Sequence, residues 1–476
     1  MRDADSLFPR DFVWGAGTSA YQIEGGLAEH GRGESVWDTF CRRPAAIRDG
    51  HTAERACEHI HRWRQDIDLM RQIGLRGYRF SISWPRIMPD GAGPISEAGL
   101  GFYDGLVDGL LEAGVEPCVT LFHWDYPAAL HKRGGWMHEA SPQWFGDYAE
   151  AVVRRLGDRV RRWITINEPQ VFIELGYGRG EHAPGLQLPL ADRLVIAHHV
   201  MCAHGAAARA IRQWAPGSRI GWAPVAYCAI PASAREADLE AARRVTIASG
   251  GPTLSSSSWF NDPVFHGRYP EDGLDAHGSM LPAGWERDLE AIHEIPDFFG
   301  MNYYQAPTVQ AGPDGQPREI PDPPGAPRTA FGWPIKPEGL YWASRQLYQR
   351  YQAPILVTEN GLSTHDGIAL DGAVHDTQRI DYAARHLLAL ADAMRDGVPV
   401  EGYYHWSLLD NFEWAEGYHQ RFGLVHVDFA SQQRLLKDSA RWYRRIIQTG
   451  GGLLREGAPP LVVAGPHSGV PQGAIE

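Results

Sequence analysis

The chain has 476 residues, 43% of them hydrophobic and 22% charged, with a formal net charge of −13. That acidity leaves no basic face for a nucleic acid or an anionic membrane, and no run of about eighteen apolar residues marks a bilayer span. The first residues, MRDADSLFPRDF, lack the apolar core of a secretory signal, so the expected location is cytoplasmic.

Eight apolar runs read as buried strands, at 12–18, 78–84, 117–124, 163–168, 219–225, 297–304, 355–359 and 400–408. They are nearly continuous rather than alternating, the pattern of parallel strands covered on both faces. Helical patterns separate them. In 52–74, Ile60, Trp63, Ile67, Met70 and Ile73 recur at three- and four-residue steps along one face. Segment 141–157 opens on Ser141 as the predicted N-cap, with Pro142 at the first helical position, and closes on Gly157. Other helices are predicted to end on Gly114, Gly217 and Gly397, and two more to cover 337–351 and 437–450. The longest interval between strands runs over about 233–294, and the Pro-, Gly- and Asp-rich stretch 310–328 is expected to be a long surface loop. Residues 451–476, rich in Gly and Pro, are expected to form a poorly ordered tail behind one domain spanning 1–450.

Strand–helix alternation repeated eight times predicts an α/β fold, a single (β/α)₈ TIM barrel with long loops at its C-terminal face. Five scattered cysteines (Cys41, Cys57, Cys118, Cys202, Cys228) show no metal-like or C-x-x-C spacing and read as reduced core thiols.

Two strands end alike. RWITINEP stops at Glu168 and PILVTENG at Glu359, and each glutamate has an asparagine beside it, Asn167 and Asn360. Barrel active sites form where strands end. Strands four and seven are expected on opposite sides of the ring, their tips facing across the mouth. With 17 Trp, 18 Tyr and 16 Phe in the chain, many of them near strand ends, the cleft would be lined with flat apolar rings. Paired carboxylates in such a cleft suit glycosidic bond cleavage: one protonates the leaving oxygen while the other attacks the anomeric carbon.

The motifs YQIEG, YRFSISWPRI, LFHWDYP, TINEP, GEHAPG, FFGMNYY, VTENG and WSLLDNFEW…YHQRFGLVHVD, in that chain order, resemble the motif set of family 1 glycoside hydrolases, the β-glucosidase family. The resemblance extends from Phe8 to about Ile447. It implies that Glu359 is the nucleophile and Glu168 the general acid, then base, with a carboxyl separation of roughly 5–5.5 Å as in retaining enzymes. Arg79 and Tyr304 would be the nucleophile's partners, with Asn302 beside the pair. Gln22, His123, Asn167, Glu413 and Trp414 would bind the sugar hydroxyls, with Trp406 stacking beneath the ring. Trp124 and Phe422 would complete the substrate wall, and Trp333 would stand on the aglycone side. The implied substrates are small β-glycosides, with no metal or other cofactor. Two departures from the family pattern are Ile166 within TINEP and Val225, where many bacterial members carry asparagine.

Other readings are weaker. GAGTSA, at 15–20, matches a dinucleotide fingerprint with Asp38 downstream, but the glycine-broken sequence after it offers no helix to hold a pyrophosphate. A sugar-binding relative without turnover would have lost one glutamate, and this chain keeps both. His198, His199 and His204 are poorly spaced for a metal. Glu413 would repel a 6-phospho sugar, and Glu168 in place of a glutamine favours O-glycosides over thioglycosides.

Overall fold

The computed structural model describes residues 6–455. Its centre is a closed barrel of eight parallel strands: β1 Val13–Gly17, β2 Gly77–Ser81, β3 Glu116–Phe122, β4 Arg162–Asn167, β5 Arg219–Ala223, β6 Phe298–Asn302, β7 Ile355–Asn360 and β8 Val400–Trp406. β1 closes the ring against β8, with Gly17 opposite Trp406. All eight predicted runs become these strands.

The inner floor takes one side chain from each strand except β2. Val13, Cys118, Ile164, Ala223, Phe298, Leu356 and Tyr404 form their own buried cluster. Glycine is needed next to the large members: a Cβ on Gly15 would lie 2.4 Å from the Tyr404 ring. This explains GAGTSA without a nucleotide. The strand is followed by only a four-residue helix, Ala20–Ile23.

The outer layer carries the predicted helices. His59–Ile73 ends on Gly74 in the left-handed region, where glycine costs least. Gly114, Gly217 and Gly397 likewise follow their helices at positive φ. Two expectations need correction. Ser141 is the first helical residue rather than the cap, and its hydroxyl donates to Trp136 O. Residues 310–328 are not all loop, because Thr308–Ala311 and Pro317–Ile320 pair as an antiparallel hairpin. The long 233–294 interval is largely helical. It holds helices Glu236–Ile247, Ser257–His266, Glu271–His277 and Trp285–Ile292. Of the predicted tail, Gly452–Arg455 forms a short 3₁₀ turn, and 456–476 lie outside the described residues.

One helix, Leu190–Trp214, is long and apolar enough by composition to cross a bilayer. Here Leu194, Ile196, Val200, Met201 and Ile211 are fully buried in the main core. Its hydropathy is that of a core helix.

Candidate active site

Glu168 and Glu359 both sit at the C-terminal mouth of the barrel, as expected, and both are buried. Their strands are three places apart, however, with β5 and β6 between them, so they are not diametrically opposed. The strand between them nearest β7 explains how the pair is managed. β6 and the residues just beyond it send Asn302 to one glutamate and Tyr304 to the other.

Glu168 ends β4 with φ +43°, a strained value for a side chain with a Cβ, and the helix Pro169–Ile173 starts immediately after it. Its N–H donates to Ala223 O at 2.8 Å and its carbonyl accepts from Val171 at 3.1 Å, which over-determine the turn. Proline at the first helical position needs no donor. TINEP is therefore a strand stop that projects a carboxylate.

Glu359 accepts from two donors. Arg79 Nη1 donates to Oε1 at 2.5 Å and Tyr304 Oη to Oε2 at 2.6 Å. Arg79, fully buried, is itself fixed by Thr120 Oγ1, Thr358 O and Asn167 Oδ1 at 3.1, 3.1 and 2.6 Å. Burial, with Glu359 nearby, holds the Tyr304 phenol well above its usual pKa, so it stays a donor.

Glu168 has only a neutral amide, Asn302 Nδ2, at 2.9 Å. Burial first, and the charge on Glu359 second, push its carboxyl up to about 8; Asn302 and Arg79 pull the other way. The two glutamates thus differ by environment alone. One faces a guanidinium and a phenol, the other an amide and a like charge.

A polar wall assembles around this pair. Asn302 Oδ1 accepts from Thr358 Oγ1 at 2.6 Å, and its amide also reaches Asn167 Oδ1 at 3.0 Å. Asn167 Nδ2 meets His123 Nε2 at 3.2 Å. Burial and Arg79 depress His123, so the ring is neutral, and its Nδ1 has no protein partner among the described residues. Gln22 Nε2 donates to Asn411 Oδ1, Phe412 O and Glu413 Oε2 at 3.0–3.2 Å, and Ser19 holds its oxygen at 2.7 Å. Glu413 is also pushed up to about 8, by burial and then by Glu359.

Aromatic rings close the pocket. The His123 ring lies 5.8 Å from Trp406 and 6.0 Å from Trp414. Trp124 packs 4.6 Å from Trp414 and donates Nε1–H to Asn167 O at 3.1 Å. Tyr304 stands 5.3 Å from Trp333 and 6.3 Å from Phe422.

The residues that the resemblance assigns to catalysis and sugar binding are thus linked by hydrogen bonds and ring contacts around the two glutamates, whereas the Asn360 amide turns away, onto Tyr303 O and Tyr382 Oη. Sequence reasoning missed Thr120, Thr358, Asn411 and Phe331. The two threonines left a signal, as lone hydroxyls in apolar strands just before their tips. Phe331 left none, and it stacks on Trp333 at 4.6 Å and 6°. Val225 stands beside the site, its backbone bridged to Asn302 and tied to the Gln170 amide.

The sequence profile of glycosyl hydrolase family 1 matches residues 4–452. The chain belongs to that family. It is 41% identical over 446 residues to β-glucosidase A of Thermotoga maritima, covering 93% of this chain and 98% of the relative. It is 42% identical over 453 residues to a β-glucosidase of an Agrobacterium species, covering 93% and 96%. The solved T. maritima β-glucosidase with glucoimidazole superposes with a TM-score of 0.87 at 40% identity, covering 94% of this family 1 chain and all of that one.

Metal ligands were not expected in this family 1 chain. Among the described residues, two groups could share an ion, Asp49/His51/His419 and His198/Cys202/Asp288. Both His198 nitrogens are already engaged, by Tyr269 Oη at 2.8 Å and Asp288 at 3.0 Å. Neither group belongs to the glutamate pair.

Proposed function

We propose that this family 1 glycoside hydrolase is a retaining β-glucosidase that releases terminal non-reducing glucosyl residues from short β-linked oligosaccharides, such as cellobiose, and small β-glucosides. The observation that carries the reading is the division of labour between the two carboxylates. In the first step Glu359, hydrogen-bonded by Arg79 and Tyr304, attacks the anomeric carbon as Glu168 gives its proton to the leaving oxygen. Esterification removes the charge on Glu359. The repulsion that kept Glu168 protonated then disappears, and the same group accepts a proton from water as water attacks the glycosyl-enzyme.

The relatives' names support the glycone. They include β-glucosidases, a 1,4-β-D-glucan glucohydrolase of Thermotoga neapolitana and a bifunctional β-D-glucosidase/β-D-fucosidase of Bifidobacterium breve. The last favours some tolerance for galactosyl or fucosyl substrates, or transfer to a sugar acceptor, as the second reading. Five free cysteines fit a reducing compartment, so we place the enzyme in the cytoplasm, acting on imported small glycosides and using neither nucleic acid nor membrane as partner.

Initial rates on aryl β-glucoside, β-galactoside, β-fucoside and 6-phospho-β-glucoside, beside Glu359→Ala, test this. Neutral glycosides should turn over, glucoside foremost, and the variant should not. A folded enzyme that prefers the phosphorylated sugar would refute the glycone assignment.

A further inference from the structure

Two clefts lie away from the catalytic mouth. One is a groove of about 430 Å³ on the outer wall, along the C-terminal half of helix Pro337–Tyr351. Gln346, Gln349 and Arg350 face it at three- and four-residue steps from one side, and Arg243, His266 and Arg268 from the other. It opens past Ile247, Arg268 and Arg350 into a larger cleft of about 730 Å³.

The groove's charge stands out against the chain. In a protein of net charge −13, its wall holds three arginines and a histidine, and no acid. Two arginines are braced from outside the wall. Arg350 forks onto the buried Asp262, with Nε to Oδ1 at 2.9 Å, and Arg243 forks onto Glu240 at 2.7 Å. Those pairings fix the guanidinium planes. Arg268, exposed, has no hydrogen bond or ion pair among the described residues. Ordinary surface arginines scatter among acids; here three converge on one concavity of ligand size. The pairings with Glu240 and Asp262 offset the charges of Arg243 and Arg350, so Arg268 is the groove's one unpaired cation among the described residues. In the larger cleft Asp272 is held by Ser249 and Gly250, which leaves Glu271 as its unpaired acid.

We propose that this groove binds a phosphate-bearing small molecule. The free fork of Arg268 can take two phosphate oxygens, Arg243 and Arg350 offer the Nη1 hydrogens left over from Glu240 and Asp262, and the Gln349 amide adds a neutral donor for the rest of the ligand. The site lies outside the barrel, so its occupant is an effector or a second ligand rather than a substrate of the glutamate pair.

The test is calorimetric titration of the full chain with pyrophosphate, beside sulfate and acetate. The expected result is saturable 1:1 pyrophosphate binding, weakened about tenfold in Arg268→Gln, the size of one charge-assisted hydrogen bond. In Arg243→Gln/Arg268→Gln binding should be lost, while hydrolysis of an aryl β-glucoside without pyrophosphate stays at the wild-type rate and reports that the variant is folded. The proposal is overturned by no saturable heat, by wild-type affinity in the double variant, or by acetate and sulfate binding as tightly as pyrophosphate.

Discussion

At the scale of single residues, function rests on how two glutamates are made unlike. Replacing Glu359 by alanine removes the bond-forming oxygen, so kcat should fall by about 10⁴-fold or more on every substrate. Glu168→Gln removes proton transfer, an effect of about 10²–10⁴-fold, but only where the leaving group needs the proton. The glycosylation step should therefore be nearly normal for a dinitrophenyl glucoside and crippled for an alkyl glucoside or cellobiose. Pre-steady-state rates against leaving-group pKa would show it. A uniform loss would mean that Glu168 is structural. The same raised pKa makes a stability prediction. Because the folded carboxyl binds its proton more tightly than the unfolded one, its contribution is full below the ordinary carboxylate range and is lost as pH rises toward about 8. Glu168→Gln should consequently raise Tm more at pH 8 than at pH 5. An equal gain at both would contradict the assigned cause. Activity should fall on the alkaline side as the acid loses its proton, with Glu413, also near 8, titrating in the same range.

At the scale of elements, the loops after β7 and β8 are held by a buried charge network below Phe422. Lys437 Nζ donates to Asp366 at 2.6 Å and Asp410 at 2.7 Å, Arg379 to Asp366 at 2.8 Å and Asp376 at 2.7 Å, and Arg421 to Asp410 at 2.7 Å. Asp410 is driven far below the usual carboxylate range because Lys437 and Arg421 outweigh its burial. Removing one partner strands buried charge, so Lys437→Met should cost about 3–5 kcal/mol in denaturant unfolding. It should also raise KM, because the arm carrying Glu413, Trp414 and Phe422 loses its anchor. A change under about 1 kcal/mol would show that the network is compensated by solvent. Close packing ties the same tips together. A Cβ on Gly361 would stand 1.8 Å from Trp406 O, so Gly361→Ala should displace Trp406 and lower kcat/KM. Normal kinetics in that variant would mean the two strand tips move independently.

For the whole molecule, the barrel was legible because parallel strands buried on both faces leave eight uninterrupted apolar runs, and helices between them end on glycines that must be left-handed. The glutamates were legible because each closes such a run. Other features came from contacts that no local pattern encodes. Thr308–Ala311 and Pro317–Ile320 pair although the stretch is rich in turn formers. Ser141 sits one position inside its helix because Trp136 O captures its hydroxyl. Phe331 joins the aglycone wall only through its stacking on Trp333. The arginine groove draws on three segments, around 243, 268 and 350, each ordinary alone. The ring arithmetic of the strands was also misjudged: β4 and β7 are three places apart, and β6 supplies Asn302 and Tyr304 between them.

The most direct measurement is to trap the intermediate. A 2-fluoro-glucoside with an activated leaving group slows both steps but the second more, so a glycosyl-enzyme accumulates if one forms. Mass spectrometry of the digested protein should then find one added fluoroglucosyl group on the peptide holding Glu359, and none on the peptide holding Glu168. A label on another residue, or turnover of the true glucoside with inversion at the anomeric carbon, would contradict the assignment of Glu359 as the nucleophile of a retaining enzyme.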